Sequence, residues 1–203
     1  MVSIKLQRLT RNALALSMLL LVMLAASCEK KESAENEASE AKTPVPSEQT
    51  TAAALTDPNI VSMVLVANRM DVENAKMALD KTNNPAVKEF ANQMMKDHTS
   101  AIQQTNDLAT KLSLKPEDND SSRQLEENAE ATRKMIDESK GAGFDKAYVD
   151  NEVVLHQALL DLLDKTLIAG ATSAELKSLL ENTRAVVVMH LAHAKTVQSS
   201  LGG

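Results

Sequence analysis

From Thr56 to Ser199 the apolar residues recur every three or four positions, and no stretch alternates apolar with polar as a half-buried strand would. That period commits the chain to helices. Asp57-Pro58 reads as an N-cap and a first-turn proline, opening a helix over 57–81. Asn84-Pro85 opens a second, to about residue 112, with Val87, Phe90, Ala91, Met94, His98, Thr105 and Leu108 along one side. "KPEDNDSS" stops it. A polar helix over 123–139 follows, then the break "KGAG", then an apolar helix over 144–169. Thr172-Ser173-Ala174-Glu175 has the form of a capping box and starts a last helix that ends near Ser199.

Four helices of roughly 24 to 29 residues are each about 35 to 43 Å long, matched lengths that pack as one bundle. The fold class is therefore all-α, an up-down four-helix bundle with an extra short helix in the crossover between the second and third. Met63, Met70 and Met77 recur every seven residues on the side of helix one away from Val61, Leu65, Val72 and Leu79. Either the short polar helix covers this second stripe, or it is an adaptable surface for a partner.

The first 27 residues read as an address. Lys5, Arg8 and Arg11 precede an apolar run over 13–25, and the small residues Ala25-Ala26-Ser27 stand before Cys28. The pattern resembles a bacterial lipobox, with leucine's usual place taken by Ala25. It implies cleavage before Cys28, with diacylglycerol on its sulfur and a third, palmitate-type chain on its amine, which together anchor stably. Glu29 in place of Asp after the cysteine points to the outer membrane. Cys28 is the only cysteine, so no disulfide forms within the chain. Residues 28–56, with "EKKESAENEASEAKTPVPSEQT", are too polar to bury a core. They form a tether of about 30 Å mean reach, and 57–203 form the bundle.

Net charge is −6 over 203 residues, and the first 27 hold three of the positive charges, so the bundle is acidic. That balance does not suit nucleic acid or an anionic bilayer. Phe90, Phe144 and Tyr148 are the only aromatics, too few for stacking on bases or sugars.

The unusual residues on these helices are histidines. At about 100° per residue, His98 lies about 40° from Met94, inside the stripe, with Asp97 on its other flank. In "AVVVMHLAHAK" (185–195), His190 lies near the centre of the apolar face and His193 at its edge. His156 sits on the margin of its helix, with Glu152 one turn before it. If the helices run up-down-up-down, the turns at 82–84 and 170–172 share an end. His98 and His156 are then about 22 Å from it, His190 about 28 Å, and Asp71 and Glu73 about 15 to 18 Å.

Three segments carry a family resemblance: "NNPAVKEFANQMMKDHTSA", "GFDKAYVDNEVVLHQALL" and "MHLAHAK". Together they resemble the DUF4142 family, a ferritin-like four-helix domain of bacterial envelope proteins, over most of 57–199. The resemblance matches the family's Asp-His pair to Asp97 and His98, its Phe-Asp-x-x-Tyr and later His to Phe144, Asp145, Tyr148 and His156, and its last His to His190. The family's helix-one carboxylate falls on Asp71 or Glu73. The resemblance implies the fold and assigns no function. Di-iron bundles use Glu-x-x-His motifs, and this chain has none.

Three readings stay open. The first is a buried polar layer in which the histidines bond to Asp97, Glu152 or Tyr148 and fix register among the helices. The second is a transition-metal module for Zn, Cu or Fe, with His98, His156, His190 and Asp71 or Glu73 as ligands. Asp97, Glu152, Tyr148 and His193 would then support the ligands, and Met94 would offer copper a soft donor. The third is an envelope protein that docks a partner protein. Nothing marks a nucleophilic enzyme: there is no Gly-x-Ser-x-Gly and no spare cysteine.

Overall fold

The computed structural model describes residues 55–202. The expected signal (1–27), Cys28, nearly all of the tether (28–56) and Gly203 lie outside the described residues. The rest is helical: α1 (Asp57–Lys81), α2 (Pro85–Lys111), α3 (Asp120–Glu138) and α4 (Ala142–Leu162) come first. A π turn (Leu163–Leu167) and a last turn α5 (Ile168–Gly170) prolong α4, and α6 (Ala174–Leu201) ends the chain. None of the described helices is long and apolar enough to cross a membrane.

The caps differ from expectation in an informative way. Thr56, not Asp57, caps α1, its side chain accepting from Asn59 N–H in a reciprocal capping box. Asp57 is thereby free to reach across the bundle. Its carboxylate accepts from Thr172 N–H at 2.7 Å, Thr172 Oγ1–H at 2.9 Å and Ser173 N–H at 2.9 Å. Thr172 is thus engaged elsewhere, and Ser173 caps α6 by accepting from Leu176 N–H. The polar helix starts at Asp120 because Asn119 caps it, its side chain accepting from Ser122 N–H. Gly141 enters α4 at φ +54°, where a side chain would be strained although nothing lies within 4 Å of its missing Cβ.

The Asp57 contact also settles the topology. It joins the start of α1 to the start of α6, while at the other end Lys81 pairs with Asp137 on α3. The turns at 82–84 and 170–172 therefore lie at opposite ends, which corrects the up-down-up-down order. The four long helices run up, down, down, up. The reason is α3, which spans about 28 Å and carries the chain back along α1 before α4 begins. This is a ferritin-like bundle with its long crossover folded into a helix.

Two apolar clusters close the bundle. The lower one contains Ile60, Val61, Leu163, Leu167, Leu176 and Leu180, and the π turn keeps both of its leucines inside. The upper one contains Ala78, Val87, Phe90, Met94, Phe144, Tyr148 and Val197. The methionine stripe lies under α3: Met63 and Met70 are buried, and Met70 packs with Ala129 and Leu125.

Candidate metal centre

Between the apolar clusters, α2, α4 and α6 each turn a histidine inward. His98 is 4 % exposed, His156 1 % and His190 1 %. Their rings form a triangle with centroid separations of 5.7 Å (His98–His156), 5.1 Å (His98–His190) and 5.4 Å (His156–His190). One ligand nitrogen from each lies within 4.8 Å of the other two. The up-down-down-up order brings them level even though the expected order was different.

Each ring has one nitrogen tied to an acceptor. His98 Nδ1–H donates to Asn68 Oδ1 at 2.9 Å, and Asn68 Nδ2–H donates to the Val64 carbonyl at 2.8 Å, so the amide cannot turn its other end. His156 Nδ1–H donates to the Glu152 carbonyl at 2.9 Å. His190 Nε2–H donates to Asp97 Oδ2 at 3.0 Å. All three partners accept only, so they fix the tautomers. The nitrogens left over are His98 Nε2, His156 Nε2 and His190 Nδ1. They are buried and have no hydrogen-bond partner among the described residues.

The charge state follows from the burial. Desolvation pulls the His98 pKa below its ordinary value against the pull of Asp71. Desolvation likewise takes His190 down to about 4, although the Asp97 hydrogen bond works the other way. Both shifts favour the neutral imidazole at physiological pH for His98 and His190, and each of the three rings keeps one buried nitrogen without a partner. This is the disposition of metal-binding histidines, whose second nitrogen is held by a carboxylate, carbonyl or amide.

The carboxylates divide sharply. Asp71 is buried, with Oδ2 3.5 Å from His98 Nδ1. Glu73, also a candidate ligand from the sequence, stands away from the triangle: it is exposed and pairs with Arg133 on α3. The two are about 200° apart around α1, so only one can face inward. Glu152 is buried beside His156, its Oε2 3.5 Å from Nδ1. Asp97 supports His190 as the sequence suggested, but His193 stands outside the triangle. Its Nδ1 bonds Gln93 Oε1 at 2.9 Å, and its ring meets Phe90 edge-on at 5.2 Å. Tyr148 is buried above Glu152, and Met94 packs in the upper apolar cluster. Asn68 was not foreseen. The available signal was a lone amide in the apolar run "IVSMVLVANRM".

A cleft of about 330 Å³ reaches this centre from outside, lined by Asn68, Asp97, His98, Thr105, Thr183 and His190 among others. It gives a small solute access to two of the three imidazoles.

Residues 42–197 match the family described as a domain of unknown function, DUF4142. No curated protein matches the chain. Among solved structures, a secreted DUF305 protein from Streptomyces coelicolor is similar, with TM-score 0.61 and 12 % identity over 71 % of this chain and 93 % of that one. The copper(II)-bound form of CopM is also similar, with TM-score 0.54 and 14 % identity over 72 % of this chain and 97 % of that one. At these identities the likeness is one of fold.

Proposed function

The chain belongs to the DUF4142 family, and from that premise we propose that it is a metal-binding module of the cell envelope, holding one transition-metal ion between His98, His156 and His190. The observation that carries this reading is the set of three unpartnered ring nitrogens. A layer of purely structural histidines would use its polar atoms on one another or on the carboxylates. Here each ring spends one nitrogen outward and keeps one for the centre. Nitrogen donors suit Zn²⁺, Cu²⁺ or Fe²⁺, and the copper(II) in CopM makes copper the first ion to try. Asn68, the Glu152 carbonyl and Asp97 would orient the rings.

The test is the melting temperature of metal-stripped protein, purified without a histidine tag, with each ion added separately. A ligand that binds only the folded state stabilises it by mass action, about 2.7 kcal/mol at a hundredfold excess over Kd. A rise is expected with at least one ion, lost in His98→Leu and His190→Leu and kept in His193→Leu. No rise with any ion in the unaltered chain would leave the histidines structural.

The placement in the envelope rests on the first 28 residues: the basic start, the apolar run and Cys28. A lipid-anchored domain at the outer membrane, facing the periplasm, follows from them, and the secreted relative of like fold supports export. Cys28→Ser should move the domain from the membrane fraction to the soluble one or leave an uncleaved precursor; a processed wild type found soluble would sink the anchor.

A further inference from the structure

One of the most deeply buried ionisable groups in the bundle is a carboxyl that lies beside the imidazole centre and is not one of its proposed ligands. Glu152 is 1 % exposed; Asn74 and Asp71 on α1 are the polar side chains that approach its carboxyl, and neither oxygen meets hydrogen-bond geometry with a partner among the described residues. Asp71, across from it on α1, is 5 % exposed, and its Oδ1 is likewise unpartnered. One oxygen of each and a nitrogen of His156 lie within 4.8 Å of one another. One turn before Glu152 on α4, Tyr148 is fully buried and its hydroxyl is also without a partner.

Two carboxylates this close in a dry interior cannot both carry charge unless something positive stands between them. A proton is one solution. Burial, and then the facing Asp71, push the Glu152 carboxyl well above its ordinary range. A cation is the other, and a divalent ion neutralises the pair completely. The donors here differ in kind from those of the neighbouring centre. Apart from the His156 nitrogen they are carboxyl oxygens, and oxygen donors select hard cations where imidazoles select borderline ones. A small cleft of about 80 Å³, lined by Asp71 and His156 with Met70 and Leu125, opens on the Asp71 side of the pair.

We propose that Asp71 and Glu152, with the Tyr148 hydroxyl beside them, bind a second cation of the hard, oxygen-seeking class. The site adjoins the imidazole centre and does not depend on its occupant. The bundle would then hold two unlike ions in one polar layer, sorted by donor type.

Mn²⁺ is the probe, since its free form is counted directly by electron paramagnetic resonance. The metal-stripped, untagged chain is titrated with Mn²⁺ before and after loading with Cu²⁺. The expected result is one buried Mn²⁺ per chain, weakened about ten-fold or more in Glu152→Gln and in Asp71→Asn and retained in His190→Leu. Circular dichroism shows which variants fold, and either carboxyl variant alone suffices. Absence of Mn²⁺ binding in both the copper-free and the copper-loaded chain overturns the proposal and leaves a shared proton. Mn²⁺ binding unchanged in both carboxyl variants overturns it too, since the ion then sits on surface carboxylates. Failure of the imidazole site shows separately, as loss of Cu²⁺ binding with Mn²⁺ binding intact.

Discussion

At the lower end of the bundle Ile60, Leu163, Leu167, Leu176 and Leu180 bury one another with no polar atom to satisfy, and the Asp57 carboxylate at the rim accepts three hydrogen bonds. Half-way up, at equal burial, His98, His156, His190, Asp71 and Glu152 keep six side-chain atoms without partners among the described residues. The first region is what a chain builds for stability. The second runs against it, because an unpaired buried polar group costs about 1–3 kcal/mol. Local inconsistency of this kind, concentrated in one layer and continued up α4 by Asp145, Tyr148 and Asn151, is where function is found.

The comparison breaks most visibly at the apolar end. Leu180 is fully buried, and Leu180→Ala should cost about 2–5 kcal/mol through lost transfer and a residual cavity. Denaturant titration should show the loss equally with and without metal. A loss that metal abolishes would mean the two regions are coupled rather than separate.

Acid should separate the regions by pH. An unfolded histidine takes its proton near 6.5, whereas folded His190 resists until about 4. As pH falls, the unfolded state binds protons first. The stability supplied by the neutral layer is therefore complete above about 6.5 and is lost between there and 4. Asp57 follows later. Burial alone would raise its pKa, but the bonds from Thr172 and Ser173 outweigh that and lower it. Its contribution holds above the unfolded aspartate value of about 3.9 and disappears below it. Melting temperatures of metal-free protein from pH 8 to 3 should fall in that order, and His190→Leu should flatten the upper step alone.

A smaller effect is expected at the rim. Asp57→Ala removes the acceptor for Thr172 and Ser173 and should cost about 1–3 kcal/mol, read as a shift in denaturant midpoint with metal binding unchanged. Smallest is Glu73→Ala. Its ion pair with Arg133 is on the surface, so about 0–1 kcal/mol is expected. Any drop in metal affinity would show that Glu73 serves the centre despite its exposure.

Much of the fold was legible because a helix's inward face is a local property. The spacing of Val87, Phe90, Met94 and His98 in α2 gives it directly, and Asn84-Pro85 marks where it begins. The inward turn of His98 and His190, and the edge position of His193, follow from the same rule. Caps were less legible, because Thr56, Asp57, Thr172 and Ser173 are all competent caps. Only the contact between Asp57 and Thr172, 115 positions apart, decides among them.

The sequence by itself determined the helices, their buried faces and which polar residues had to be taken inside, since each depends on neighbours within about two turns. The tertiary structure decided the rest. The direction of α4 depended on where α3 delivers the chain. The choice of Asp71 over Glu73 depended on which side of α1 meets α2. The tautomer of each histidine depended on a partner belonging to another helix or to the preceding turn: Asn68 for His98, Asp97 for His190, the Glu152 carbonyl for His156. Free nitrogens converge only once those helices share one register, and no local period encodes a register between segments 30 or 93 residues apart.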